Sequence, residues 1–323
     1  MEGLEIMKIV IFGSNGFIGA NLTDYFLSKG HEVIPVVRSS KRVPGLHSFN
    51  DSAPIETCNL LDREKIHKIL KEYSPGGIIN TAMYGGYPGQ MDEDSIFDTN
   101  FRGTVNLVNE AISMGFDWFI NTGSSSEYGS KATPMREDDI CEPIDAYGIS
   151  KLAGTLYCQA KARSLNLPIF TLRLFSVYGY FEKSTRLIPH LILSAIMDEK
   201  PNLSSPTPMR DFIFIEDVNK AYYLISSKFK EIGCGEILNV GSGFGLRVGE
   251  VVQTLSEVIE KKIIPNWGQA IGRQSDKTKV WTSDIAKIKR ILGWEPEYDI
   301  RKGLMTTYNW FLNNIEKYQG EYK

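Results

Sequence analysis

Through the first half of the chain, short apolar runs rich in Val, Ile and Phe alternate with longer stretches whose apolar residues recur every three to four positions. Side chains repeat every second residue on a strand and about every 3.6 on a helix, so this alternation marks successive strand, helix, strand units and hence a parallel sheet. Strands are expected at Lys8–Phe12, Glu32–Val37, Pro54–Cys58, Gly77–Asn80, Trp118–Thr122 and Pro168–Leu174. The clearest helix is expected over Ser95–Met114, where Phe97, Phe101, Val105, Val108 and Ile112 share one face, and a second over Ala146–Leu165. After Leu174 the pattern loosens into Pro-rich and Gly-rich connections, including Lys200–Pro208 and Gly233–Gly245, which points to a smaller second lobe.

Composition narrows the class of partner. A chain of 323 residues, 42% apolar and 11% aromatic, can bury a full core, and by length suggests about two domains. With no internal repeat or long linker, the lobes are expected to pack over a shared cleft. The formal charge is −3 and the basic residues are spread along the chain, so neither a nucleic acid nor an anionic membrane is indicated. Cys58, Cys141, Cys158 and Cys234 are widely separated, with no C-x-x-C pair and no histidine cluster nearby, so they are expected as buried reduced thiols and no metal is implied. The opening segment is apolar only from Ile6 and runs into glycines without a small-residue cleavage site. No later run approaches the roughly 20 apolar residues of a membrane span, and a cytoplasmic address is expected.

Directly after the first strand stands Gly13-Ser14-Asn15-Gly16-Phe17-Ile18-Gly19, followed by helical spacing at Leu22, Phe26 and Leu27. Gly13 permits the tight turn, Gly16 lets the main chain approach a pyrophosphate, and Gly19 lets the helix lie close to the sheet. The free N–H groups at the helix start then face the anion. The fold class is therefore α/β, a Rossmann doubly wound parallel sheet with a smaller C-terminal substrate-binding lobe. Residues 1–174, with returning segments near 210–240, form the dinucleotide half, and 175–323 form mainly the substrate lobe. The second strand ends in Arg38-Ser39-Ser40 where an NAD site usually carries an acid. A guanidinium beside hydroxyls suits a 2′-phosphate, so NADP(H) is favoured, with NAD(H) the alternative.

Tyr147-Gly148-Ile149-Ser150-Lys151 opens the second predicted helix, so phenol and ammonium lie one turn apart on one face. A phenol with a pKa of about 10 is a poor base near neutrality, and a neighbouring cation favours its ionised form. The fifth strand runs into Thr122-Gly123-Ser124-Ser125-Ser126-Glu127-Tyr128-Gly129, which places hydroxyls at the carboxyl edge of the sheet. A serine there can hold a sugar oxygen for proton exchange with the tyrosine.

With these residues in this order, the chain resembles the extended short-chain dehydrogenase/reductases that act on nucleotide sugars: epimerases, 4,6-dehydratases and 4-ketoreductases. The resemblance covers nearly the whole chain. It extends to Asn100 in Asp98-Thr99-Asn100-Phe101-Arg102-Gly103-Thr104, to Leu172–Gly179, to Arg210-Asp211-Phe212 and to Leu292–Pro296. It implies that Tyr147 is the acid/base and that Lys151 binds the nicotinamide ribose and tunes the phenol. Ser124 is implied as the catalytic hydroxyl, with Ser125 in competition. It also implies cofactor contacts from Gly13, Asn15, Gly16, Phe17, Ile18 and Gly19, from Arg38 and Ser39, from Asn59, Leu60, Ala82 and Asn100, and from Thr122 and Phe175. Ser176, Arg186, Arg210 and Arg273 are implied as substrate contacts. Homodimers are usual in the family. Two positions depart from its pattern: Asn59, where an acid is common, and Ser176, where asparagine is.

Dehydration needs an acidic pair beside the catalytic hydroxyl, and this segment offers only a displaced Glu127. Arg38 tips the choice toward NADPH-dependent reduction of the C4 carbonyl of a nucleoside-diphosphate 4-keto-6-deoxyhexose. The alternatives are a 4-epimerase with bound NAD and a dinucleotide-binding sensor without turnover.

Overall fold

The computed structural model describes residues 6–39, 54–87, 89–270 and 280–318. Its strands, in chain order, are β1 (Lys8–Phe12), β2 (Glu32–Val37), β3 (Glu56–Thr57), β4 (Gly77–Asn80), β5 (Trp118–Ser124), β6 (Ile169–Leu174), β7 (Ser176–Tyr178), β8 (Asn202–Leu203), β9 (Met209–Phe214), β10 (Ile237–Val240), β11 (Gly245–Arg247) and β12 (Asn266–Trp267). Its α-helices are α1 (Phe17–Ser28), α2 (Arg63–Tyr73), α3 (Glu93–Phe97), α4 (Gly103–Met114), α5 (Ala146–Leu165), α6 (Leu187–Ile196), α7 (Ile215–Lys228), α8 (Val248–Val258), α9 (Ala286–Leu292) and α10 (Ile300–Asn313).

Seven strands form one parallel sheet in the order β10-β6-β5-β4-β1-β2-β3. Its apolar runs are buried on both faces because alternate residues serve different layers. Ile9 and Ile11 of β1 join the core containing Leu22 and Phe26 of α1 and Tyr222 of α7. Val10 and Phe12 join the opposite core, with Ile66 of α2, Leu107 of α4 and Cys158 of α5. Each such side chain is worth about 1.5–3 kcal/mol when buried, so a charge at any of these positions would break one layer.

The chain moves outward from β1 to β2 and β3, then returns to β4 on the other side of β1. This reversal opens a crevice at the carboxyl ends of β1 and β4. The turn after β1 is tied down there: the Gly13 N–H donates to the Val36 carbonyl at 2.8 Å, and the Thr81 N–H to that of Phe12 at 2.9 Å.

Several expectations change. Strand β3 shrinks to Glu56–Thr57 because this edge strand pairs only with Val36 and Val37. Strand β5 runs on to Ser124, since β6 continues beside it and pairs Leu174 with Ser124. The helix expected over Ser95–Met114 starts at Glu93, where the Asp92 carboxylate caps the Ser95 N–H at 3.1 Å, and contains a π-helical turn at Asp98–Arg102.

In the second lobe, β7, β9 and β11 form a separate small sheet, parallel between β7 and β9 and antiparallel between β9 and β11. Phe311 of α10 is buried in the core and Trp310 packs edge-on against it. Cys58 and Cys158 are buried, whereas Cys141 and Cys234 are half-buried. Among the described residues, no helix is long and apolar enough to cross a membrane.

Candidate active site

The glycine turn is shaped for an anion. Gly13 has φ +88°, and a β-carbon there would lie 2.7 Å from the Ala82 nitrogen. One on Gly19 would lie 2.3 Å from the Gly13 carbonyl oxygen, so neither position tolerates a side chain without moving main chain. Helix α1 begins after Gly16 with no side chain capping it and no acid in its first turn. Its leading N–H groups and the positive end of its dipole are therefore left for a ligand. Asn15, Phe17 and Ile18 are half-buried around this turn, and Gly16 is exposed. A pyrophosphate fits this cradle, as a dinucleotide requires.

Across the crevice, the Asp145 carboxylate caps the Gly148 N–H at 2.7 Å and starts α5 two residues before Tyr147. That start places Tyr147 in the first turn, with the Ser124 hydroxyl among the groups near its phenol. Burial pushes the Tyr147 phenol above its ordinary range, while the nearby Ser124 hydroxyl and Arg186 guanidinium pull it back. One turn on, the Lys151 ammonium donates to the Thr122 carbonyl at the end of β5, and burial lowers its pKa.

The two competing serines have different partners. Ser124 Oγ accepts from the Ser126 N–H at 3.1 Å. Ser125 Oγ accepts from Trp281 Nε1 at 3.0 Å in a buried contact. Sequence reasoning missed Trp281, whose ring also lies 5.1 Å under the Arg210 guanidinium. It missed the partner of Glu127 as well, since Arg173 lies 46 residues away and donates to that carboxylate at 2.7 Å.

Other expected cofactor residues are placed differently. Arg38 and Ser39 are exposed just beyond β2. Asn59 is exposed and accepts the Leu61 N–H, and Leu60 is buried in the core facing α4. Ala82 is half-buried beside Gly13. Asn100 sits on the π-helical turn with its amide committed to protein: it accepts from the Tyr84 N–H at 2.9 Å and donates to the Tyr84 carbonyl and to Ser150 Oγ. It thus pins the loop after β4 to α5. The Thr122 hydroxyl bonds the Tyr222 phenol at 2.7 Å, and Phe175 packs into a buried cluster with Tyr128, Met135 and Trp281.

On the substrate side, Ser176 begins β7 and is half-buried. Arg186, just before α6, donates to the Gly86 carbonyl and pairs with Glu182. Arg210 donates to the Met209 carbonyl at 2.7 Å. Arg273 lies outside the described residues.

A model of the NAD dependent epimerase/dehydratase family matches residues 9–241. The chain belongs to this family. As a member it is an NAD(P)-dependent enzyme of the oxidoreductase/epimerase type, and both the short-chain dehydrogenase/reductase resemblance and the Rossmann-type fold hold. The UDP-glucuronate 4-epimerase of Thermodesulfobacterium geofontis is 26% identical over 95% of this chain and 97% of its own. The dTDP-glucose 4,6-dehydratase of Escherichia coli is 25% identical over 97% and 96%. Among solved structures, the UDP-glucose 4-epimerase of Thermotoga maritima with UDP-glucose superposes with a TM-score of 0.87 at 26% identity, covering 96% of this chain and 100% of the other. MoeE5 with UDP-glucuronic acid and NAD superposes at 0.83 and 25%, covering 95% and 99%.

Proposed function

We propose that this epimerase/dehydratase family member reduces the C4 carbonyl of a nucleoside-diphosphate 4-keto-6-deoxyhexose with NADPH. The observation that carries the C4 redox chemistry is the Ser124 hydroxyl beside the Tyr147 phenol, one helical turn from buried Lys151. A bound dinucleotide supplies the hydride. Tyr147 gives its proton to the C4 oxygen, and Ser124 donates a hydrogen bond that holds this oxygen and stabilises its developing charge. Lys151, fixed by the Thr122 carbonyl, is placed to hold the nicotinamide ribose and favour the phenolate once the proton has gone.

The turn from Gly13 to Gly19 and the start of α1 would hold the pyrophosphate. Arg38 and Ser39, exposed at the end of β2 with no acid there, support a 2′-phosphate and hence NADPH. Asn59, Leu60 and Ala82 would flank the adenine half. Arg186, Arg210, Arg273 and Ser176 would hold the nucleotide sugar, the arginines as permanently charged donors. Residues 1–174 with the returning segments near 210–240 then make the dinucleotide half, and 175–323 mainly the substrate lobe. Ile149 and Leu156, apolar residues exposed on α5, support the homodimer that is usual in the family.

Dehydration is disfavoured because Ser125 and Ser126 follow the hydroxyl, and Glu127, the acid in this turn, is committed to Arg173. Similarity to UDP-glucose and UDP-glucuronate 4-epimerases favours a second reading, C4 epimerisation with retained NAD. One experiment separates the two. Reduction requires loss of NADPH absorbance with a nucleotide 4-keto-6-deoxyhexose. Interconversion of C4 epimers without added cofactor, with no such NADPH oxidation, replaces it with the epimerase.

A further inference from the structure

We propose that Glu127 is a positioning residue for the C4 reaction, a fully buried carboxylate that sets the Ser124 hydroxyl against Tyr147; the inference rests on the function proposed above. Three donors converge on this carboxylate. Its Oε1 accepts the Ser124 main-chain N–H at 2.8 Å and the Thr155 hydroxyl at 3.0 Å, and its Oε2 accepts Arg173 Nε at 2.7 Å. Neither Glu127 nor Arg173 is more than 2% exposed at its side chain.

The surroundings are built to hold the pair. A β-carbon on Gly123 would come 2.7 Å from Glu127 Oε1, so the glycine before Ser124 makes the space the carboxylate occupies. The Arg173 guanidinium lies 4.4 Å over the Tyr128 ring, and the Tyr128 hydroxyl donates to Asn239 Oδ1 at 2.6 Å. Strands β5, β6 and β10 are thereby locked together behind the serine. The Ser126 N–H occupies one lone pair of Ser124 Oγ, so both the main chain and the oxygen of this serine are held in place while its proton remains to be given.

Only a carboxylate satisfies this arrangement, because every neighbour donates. In Glu127→Gln the amide nitrogen must point a donor at Arg173 or at the Ser124 N–H and Thr155 hydroxyl, and one side has to open. A misplacement of about 1 Å in a reacting constellation costs on the order of 100-fold in rate.

The expected result for Glu127→Gln is a fall in kcat on that order with KM within about twofold of the parent. Because a buried pair broken on one side can unfold a protein, the double variant Glu127→Leu/Arg173→Met is measured beside it. Replacing a whole buried pair by apolar residues is often neutral for stability, so its Tm should stay near the parent's while kcat stays low. Full kcat in the double variant, or in a folded Glu127→Gln, overturns the positioning role and leaves the C4 chemistry standing. Crystal structures of the parent and of Glu127→Gln carry the test independently of turnover. A Ser124 hydroxyl moved out of hydrogen-bonding reach of Tyr147 supports the role, and an unmoved one overturns it, whatever substrate the parent accepts. Absence of turnover by the parent on every nucleotide sugar instead defeats the proposed function.

Discussion

Glu127, in the turn just after β5, and Asp211, in β9 of the smaller sheet, are both completely buried carboxylates, yet their hydrogen-bonding needs are met in different ways. Glu127 meets a cation, Arg173, on the neighbouring strand. Asp211 meets donors without charge: the N–H and hydroxyl of Ser242, the N–H of Gly243, and the N–H and hydroxyl of Ser283. Burial pushes the Asp211 carboxyl upward, and the Ser242 and Ser283 bonds pull it back. The first carboxylate holds the main chain of a residue at the site, and the second clips together three segments distant in sequence. Equal burial thus serves reaction geometry in one region and tertiary assembly in the other.

The sharpest test of that contrast is Tyr147→Phe, which should lower kcat by about 10²–10⁴ with Tm and dinucleotide binding unchanged. Indifference of turnover to this change would remove the chemistry from the β5 end and favour a sensor. Next in size, Asp211→Ala leaves its donors without an acceptor and should lower stability by roughly 3 kcal/mol, read as a drop in Tm or denaturant midpoint. If it kept its Tm and lost turnover instead, Asp211 would be part of the reaction and the contrast would collapse.

A smaller effect concerns pH. Tyr147 is faced by Ser124, Arg186, Glu127 and Asp145, and burial, the leading influence, raises its pKa. Reduction uses the protonated phenol, so its rate should stay level through neutrality and fall by about tenfold per pH unit only above the raised pKa. The reverse oxidation should rise with pH. A reductive rate that falls through neutral pH would mean that another group gives the proton. The smallest expected change is in Arg38→Ala, which should cut the preference for NADPH over NADH by about tenfold, the worth of one hydrogen bond to a charged group. A preference for NADH already present in the parent and surviving the substitution would point to the epimerase.

Much of the fold was legible from local pattern. The bounds of β1, β2, β4 and α5 match the expected ones, because apolar periodicity, the glycine turn after β1 and the Asp145 cap act within a few residues of each other. The π-helical turn was not legible, since it accompanies a bond between Asn100 and Tyr84 that no helical spacing encodes. Tyr147 and Lys151 could be paired from sequence because one turn of helix must bring them to the same face.

The sequence by itself determined that a glycine turn would follow the first strand, that a phenol and an ammonium would share a helical face, and that hydroxyls would end the fifth strand. Only the tertiary structure gave the two neighbouring hydroxyls different partners. Ser124 and Ser125 are chemically identical and adjacent, but Ser125 accepts the indole N–H of Trp281, more than 150 residues away, whereas Ser124 accepts the N–H of its near neighbour Ser126. Only the fold, likewise, joined Glu127 to Arg173 and spent the amide of Asn100 on a loop. Periodicity and capping act along the chain and are written in neighbouring residues. The satisfaction of a buried polar group depends on whatever the folded sheet brings beside it.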